Sequence, residues 1–503
     1  MYCCLQTCSL LGLSGNLIDV EADLTNGLPK FTIVGLPDAA IKESIERVRS
    51  GIKNSGYEFP LKRITINLAP ANIRKDGSQI DLPIAIAILI ANETIELKED
   101  DHIYLGELSL DGGLNAINGA LAMIISLREK GYRKFIVPDE NKLECGLIND
   151  VEIYPAKNLR QVVNHITGEE KIDRFIGEYS IKDESFPYDY SDIKGQSYMK
   201  RALQVSAAGK HNVLMIGSPG SGKSMAAKRY PTILPRLNYE EAIQVTKIYS
   251  VAGLLDDNKL ISYAPFRSPH HTSSAVSIIG GGANPKPGEV TLSHNGVLFL
   301  DEIFEFPKSV LEVLRQPIED KEINIARANS RVSYPSDFIL IAAGNPCPCG
   351  LKGSDLDHEC TCTPYEIKRY LSRVSEPLLD RIDIHIRINP VKYENLANEA
   401  TTESSKELAE KVNIARQIQL DRYKGSGIFY NSNLTQKQIH HYCKLDKECK
   451  NLMEFAFKKY RFSARAYNKI IKLARTIADL RESKEIEKDD LLEAIRYRSL
   501  NMS

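Results

Sequence analysis

The sequence predicts an α/β protein built around a parallel sheet with a nucleotide-binding turn, preceded by a second, mixed α/β or α+β block. Three observations carry this. The apolar run 213–216 (VLMI) leads directly into Gly217-Ser218-Pro219-Gly220-Ser221-Gly222-Lys223-Ser224. The apolar runs GVLFLDE, FILIAAGNP and IDIHIRI follow it, alternating with helical patterns, as strands joined by crossover helices do. Residues 1–165 mix β-rich runs (LIDVEADL, KFTIVG, RITINL, KFIVP) with helical ones (AAIKESIERVRSGIKNSG, LPIAIAILIANE, GALAMIISLREKG).

Bulk properties bound the function. With 503 residues, 43% hydrophobic and 26% charged, the chain is long enough for several domains with buried cores. A formal net charge of −1 means that any nucleic-acid contact must come from local basic patches. The longest apolar run, 82–91, is too short to span a bilayer, and the opening MYCCLQTCSLLG has no basic n-region or cleavage site. Ten cysteines without an export signal read as thiols or metal ligands in a reducing cytoplasm. The expected organisation is a first domain over 1–165, a polar linker over 166–191 ending in FPYDYSD, a nucleotide-binding core over 192–390, and a charged helical block over 391–503.

The glycine-rich turn fits G-x-x-x-x-G-K-[ST] in full. Its glycines let backbone N–H groups converge on phosphate oxygens, Lys223 reaches the β- and γ-phosphates, and Ser224 ligates Mg²⁺. In GVLFLDE, Asp301 follows a buried strand at its carboxyl end, where its carboxylate can hold the magnesium water shell. Glu302, one residue on, can polarise an attacking water. Asn345 ends the next apolar strand. Its neutral amide either orients that water without adding negative charge or simply caps the turn before Pro346.

Two segments bear on what the nucleotide drives. FRSPHHTSSAVSIIGGGANPKPGE, between the turn and the acid pair, is rich in Gly, Ser and Pro and reads as a mobile hairpin or loop. EINIARANSRVSYPSDF (322–338) reads as two short strands around 328–330, with Arg327 and Arg331 beside the turn. That pair either follows a phosphate backbone or belongs to an ordinary solvated hairpin. Cys347-Pro-Cys349 and Cys360-Thr-Cys362 form two C-x-C pairs. Four such thiolates complete a tetrahedral Zn²⁺ site, with His358 as a substitute ligand; the tight spacing departs from the usual C-x2-C, and four free thiols are the alternative. Cys3, Cys4 and Cys8 have no second pair nearby and read as strand-core residues.

The glycine-rich turn, acid pair, Asn-tipped strand and helical C-terminal block resemble the AAA+ ATPases. GLPDAAIKESIERV (35–48), DIKGQ (192–196), FRSPHHTSSAVSIIGGG (266–282), PGEVTLSHNGVLFLDE (287–302), NPCPCG (345–350), PLLDRIDIHI (377–386) and ARTIADL (474–480) are similar to the magnesium-chelatase-related branch, and within it to the ComM/YifB family. The resemblance covers nearly the whole chain. It implies an AAA+ core with a helical lid and a hexameric ring of identical subunits that uses ATP and Mg²⁺. It further implies ATP-driven branch migration on DNA, with no membrane partner. It assigns Ile193 and Gly195 to the loop bordering the adenine. Arg381 becomes an arginine finger reaching a neighbour's γ-phosphate, and Arg465 the second sensor arginine. A surface ion pair is the competing role for each arginine, and Asp380 and Asp383 flank Arg381. The first domain resembles the Lon-protease-type domain, of the ribosomal-protein S5 second-domain fold. The activating lysine's position falls on Met123, Ser78 lacks its Gly-Pro-Ser-Ala-Gly setting, and Lys130 is the nearest lysine, so this domain is expected to be non-proteolytic. A magnesium-chelatase motor subunit is the alternative function; such subunits are expected to lack residues 1–165. An ATP-dependent protease and a non-hydrolysing scaffold are the remaining ones.

Overall fold

The computed structural model describes residues 2–72, 75, 77–97, 101–177, 186–255, 259–282, 285–327, 330–353, 359–390 and 402–499. The chain divides into two compact units, one of residues 1–182 with 239–261, the other of 183–238 with 262–503.

The first unit is built on a seven-stranded sheet. Its strands are β1 (Tyr2–Leu11), β2 (Ser14–Thr25), β3 (Lys30–Val34), β4 (Arg63–Ala69), β5 (His102–Tyr104), β8 (Lys134–Pro138) and β9 (Glu152–Ala156), in the order β3-β4-β2-β1-β5-β8-β9. A small ribbon of β6 (Glu107–Leu108) and β7 (Leu114–Asn115) accompanies it. Cys3 and Cys8 are buried as expected, on opposite faces of β1, but Cys4, on the same face as Cys8, is exposed near the start of the strand. The apolar run 82–91 lies in a helix, Asp81–Ala91, that is buried on all sides rather than amphipathic.

Residues 239–261, expected inside the 192–390 core, belong to this unit instead. The helix Tyr239–Ala252 places Ile243 against an apolar cluster that includes Cys8, Ile117 and Ile124. Polar contacts fix it: Tyr239 Oη donates to Leu147 O (2.6 Å), Ser250 Oγ to Glu144 (2.6 Å), and Gly119 N–H to Ser250 O (3.0 Å).

The second unit holds a five-stranded parallel sheet. It is formed by β10 (Val213–Gly217), β11 (Phe266–Arg267), β14 (Val297–Leu300), β17 (Ile339–Gly344) and β18 (Ile384–Ile388), in the order β11-β14-β17-β10-β18. The four expected strands are present, and β11 is an added edge. β10, β14 and β17 are buried at every residue, as a parallel sheet covered on both faces requires. The segment expected as a mobile hairpin or loop contains a short helix, Ala275–Ile279, and an antiparallel hairpin of β12 (Gly280–Gly281) with β13 (Lys286–Pro287). β15 (Glu322–Arg327) and β16 (Ser330–Pro335) form the expected hairpin, with Arg327 opposite Ser330. Arg331 is exposed; residues 328–329 and the side chain of Arg327 lie outside the described residues.

Among the described residues the C-terminal block contains the α-helices Ser405–Arg422, Gln436–Tyr442, Lys447–Tyr460, Ala464–Leu480 and Lys488–Arg496. Leu408, Val412, Ile470 and Leu491 share one apolar core with Val213 and Ile384 of the sheet. The end of the expected linker is also part of this core. Tyr190 is fully buried, and its hydroxyl donates to Ala226 O at 2.9 Å.

Candidate nucleotide site

The turn after β10 requires its glycines. Gly220 (φ 76°) and Gly222 (φ 88°) lie in the left-handed region, where a side chain strains the backbone. Lys223 is buried, and its Nζ donates to Gly217 O (2.7 Å), Ser218 O (2.8 Å) and Ser221 Oγ (3.2 Å). Burial lowers its pKa, with the charge of Asp301 opposing. Ser224 Oγ donates to Asp301 Oδ2 at 2.7 Å, joining the two expected magnesium ligands.

β14, β17 and β10 are parallel and adjacent, so Asp301, Asn345 and the glycine-rich turn all leave the sheet at its carboxyl end. Glu302 adopts a left-handed φ of 52°, and its N–H donates to Asp301 Oδ1 at 3.0 Å. Its side chain is 55% exposed, open to a water. Asn345 is half-buried. The 192–196 segment reaches the same place: Ile193 is buried, Gly195 has φ 67°, and Gln196 Nε2 donates to Ser221 O (3.3 Å) and Asn389 O (2.7 Å).

These residues fit a magnesium-bound nucleoside triphosphate. Ser218 Oγ is buried with no hydrogen-bond partner among the described residues, and a Cβ built on Gly220 would meet nothing within 4 Å. The loop therefore carries an unmet polar atom beside open space. Sequence reasoning missed His271. Its Nδ1 lies 3.4 Å from Glu302 Oε2, and its ring packs on His270 with centroids 4.0 Å apart. The paired histidines of FRSPHHTSS were the available signal.

Arg381 and Arg465 are brought together, but elsewhere. Both bind the carboxylate of Glu319: Arg381 through Nη2, and Arg465 through Nη2 at 2.6 Å. Arg381 Nη1 also donates to Pro377 O (2.8 Å), while its Nε is buried without a partner. The flanking acids are engaged by other cations, Asp383 by Lys469 (2.7 Å) and Asp380 by Arg498 (3.4 Å). Arg381 lies three residues before β18, and Asn212, whose Nδ2 donates to Arg381 O at 3.4 Å, immediately precedes β10. The arginines thus sit at the amino end of the sheet, about 16 Å of strand rise from the glycine-rich turn. They line a cavity of about 500 Å³ with Lys210, Lys321, Lys469 and Lys472.

The four cysteines of the C-x-C pairs converge, with their sulfurs all within 4.8 Å of one another. Cys347 Sγ lies 3.3 Å from Cys349 and 3.7 Å from Cys360, and Cys349 lies 3.5 Å from Cys360. Four sulfurs at about 2.3 Å from one zinc ion are roughly 3.8 Å apart, so the set fits that ion. Lys352 N–H donates to Cys347 Sγ at 3.3 Å. The backbone N–H of Leu351 is the main cause that pulls the Cys349 thiol down to about 6. His358 lies outside the described residues.

In unit one, Ser78 Oγ donates to the Glu107 carboxylate rather than facing a lysine. Met123 is buried in the core, and Lys130 Nζ donates to Gly15 O at 3.2 Å.

Comparison with known proteins follows this geometry. The family model for magnesium chelatase, subunit ChlI, matches residues 189–396, and the model for its C-terminal region matches 402–498. A third model, subunit ChlI of Mg-chelatase, matches residues 20–141, so the first block does not set the chain apart from chelatase-named sequences as expected. The chain is 40% identical over 499 residues to the uncharacterized protein YifB of Escherichia coli, spanning 99% of this chain and 97% of the relative. It is 40% identical over 500 residues to the competence protein ComM of Haemophilus influenzae, spanning 97% and 96%. A stretch of 165 residues is 25% identical to the Lon protease of Rhizobium meliloti, covering 30% of this chain and 20% of that one. Among the described residues no helix is long and apolar enough to cross a membrane. With full-length relatives, matching family models and the assembled nucleotide pocket in agreement, the chain belongs to the ComM/YifB family of magnesium-chelatase-like AAA+ ATPases.

Proposed function

We propose that the chain is the subunit of a cytoplasmic, hexameric ring motor that hydrolyses ATP to remodel DNA. The observation that carries the ring is the separation of Arg381 from the glycine-rich turn: they occupy opposite ends of one sheet, so a chain cannot bring its own Arg381 to its own γ-phosphate. A neighbour can. Lys223 would hold the β- and γ-phosphates, and Ser224 with Asp301 would hold Mg²⁺. Glu302 takes the proton of the attacking water, Asn345 orients that water, and Ile193 and Gly195 border the adenine. Arg381 and Arg465, which share the Glu319 carboxylate in this chain, neutralise charge in the pocket of the next subunit, where the γ-phosphate takes the place of that carboxylate.

DNA as the substrate is supported by the full-length likeness to a protein named for competence and by the exposed Arg331 on a two-stranded hairpin. The first unit serves assembly or DNA contact without proteolysis, which the Ser78–Glu107 pairing supports. The four-cysteine cluster holds a structural Zn²⁺. The deciding experiment is ATP turnover with four-way junction, forked and plain duplex DNA. Junction or fork stimulation above duplex is expected. Turnover indifferent to all three would remove DNA and leave the chelatase-type motor suggested by the family-model descriptions.

A further inference from the structure

The four-cysteine cluster touches the nucleotide pocket from two sides. Cys347 and Cys349 lie two and four residues after Asn345, and Gly350 N–H donates to Cys347 O at 3.0 Å to close their turn. Gly350 has φ 81°, and a Cβ built on it would lie 2.7 Å from Pro219 Cδ and 3.0 Å from Pro219 Cγ. The cysteine turn therefore rests against the glycine-rich loop at a distance only glycine permits. Two residues on, Lys352 O accepts from Arg387 Nη2 at 2.7 Å. Arg387 sits in β18 beside Ile388, which pairs with Gly217, the first residue of the loop.

The second cysteine pair leads to the acid side of the pocket. Cys360 and Cys362 precede the helix Pro364–Leu371, capped by Thr363. Tyr370 of that helix packs on Phe304 with centroids 5.1 Å apart, and Arg373 donates to Phe304 O at 2.7 Å and pairs with Glu305 at 2.6 Å. Phe304 and Glu305 lie two and three residues after Glu302.

We propose that a zinc ion on Cys347, Cys349, Cys360 and Cys362 is a strut of the nucleotide pocket, fixing the Pro219 side of the glycine-rich loop relative to the segment that carries Glu302. This rests on the zinc reading given above and extends it: metal occupancy sets ATP affinity. The physical reason is covalent closure. Without the ion, the Cys347–Gly350 turn and the Cys360–Thr363 stretch are held by weak contacts to sulfur, among them Cys347 and Cys349 with Cys360 and the Cys349 backbone with Cys362, so the surface that backs Pro219 is freer to shift.

The test uses the full-length chain, purified under reducing, chelator-free conditions. Zinc is measured by elemental analysis, and Mg·ATPγS binding by calorimetry, before and after removal of the metal with a mercurial and a chelator. One zinc per chain is expected. Its removal is expected to weaken ATPγS binding about tenfold while far-ultraviolet circular dichroism is preserved, with added Zn²⁺ restoring affinity. A chain free of zinc as purified would overturn the metal reading itself. A loaded chain whose ATPγS affinity is unchanged on stripping would overturn the strut and leave the metal reading intact. Gly350→Ala keeps all four thiolates and so separates contact from metal. It is expected to retain zinc and to bind ATPγS more weakly, and wild-type affinity in that variant would also overturn the strut.

Discussion

The two ends of the five-stranded sheet offer opposite chemistry. At the carboxyl end the pocket is made for an anion: a buried lysine, positive-φ glycines, and an acid pair set to hold a divalent cation. At the amino end two arginines already have an anion, the carboxylate of Glu319, in a cavity ringed by lysines. One end is an anion-binding turn; the other holds two arginines that already share a carboxylate. On the ring proposed above, each chain would contribute these two ends to different active sites, and the Glu319 carboxylate would stand where a phosphate is to bind.

The largest expected effect tests this division. Arg381→Ala should lower turnover about 10³-fold with ATP affinity nearly unchanged. Lost affinity would put Arg381 in its own chain's pocket. An equal mixture of Arg381→Ala and Lys223→Ala chains should regain turnover, because some interfaces then pair an intact pocket with an intact finger; a mixture as inert as its components would break the comparison. Glu302→Gln should bind ATP and turn over about 10²-fold more slowly, in single-turnover measurements as in steady state. A smaller effect belongs to the stand-in anion. Glu319→Gln should raise turnover about threefold at low protein concentration, since the arginines no longer have a competing carboxylate. A drop there would make Glu319 a positioning partner instead.

The smallest effect is on stability. Burial would raise the pKa of Asp337, but Lys210 (2.7 Å) and Lys321 (3.2 Å) outweigh it and bring Asp337 down to about 2. The folded value lies below that of an unfolded aspartate, about 3.9, so this contribution is present above pH 4 and fades as pH falls toward 2. Urea unfolding of Asp337→Asn against the parent should differ by about 2 kcal/mol at pH 6 and converge near pH 2. A gap that persists at low pH would assign the loss to packing.

What the sequence revealed and what it hid follow from the range of the interactions. The glycine-rich turn, Asp301 with Glu302, and Asn345 were legible because each is a local pattern, a buried strand with a functional tip, and parallel strands bring the tips together. The four cysteines were legible as pairs for the same reason. Glu319 was not, since its partners Arg381 and Arg465 are remote in sequence and nothing in RQPIED marks a shared carboxylate. His271 was passed over inside a segment read as a loop, and Gly350 against Pro219 depends on a φ angle that no spacing encodes. The placement of Tyr239–Ala252 failed for a related reason: its apolar face fits a cluster built from residues 8–153, and sequence order does not say which core a helix completes.

That last helix has a consequence for how the protein is made. The first unit draws on residues beyond the glycine-rich turn, so a ribosome must have passed residue 261 before its fold can be finished. A nascent chain released near residue 182 would emerge lacking a wall of its interior, and chaperones would meet it as an incomplete globule. The two units of this polypeptide are therefore interleaved in the order of synthesis, the first completed only by a segment born inside the second.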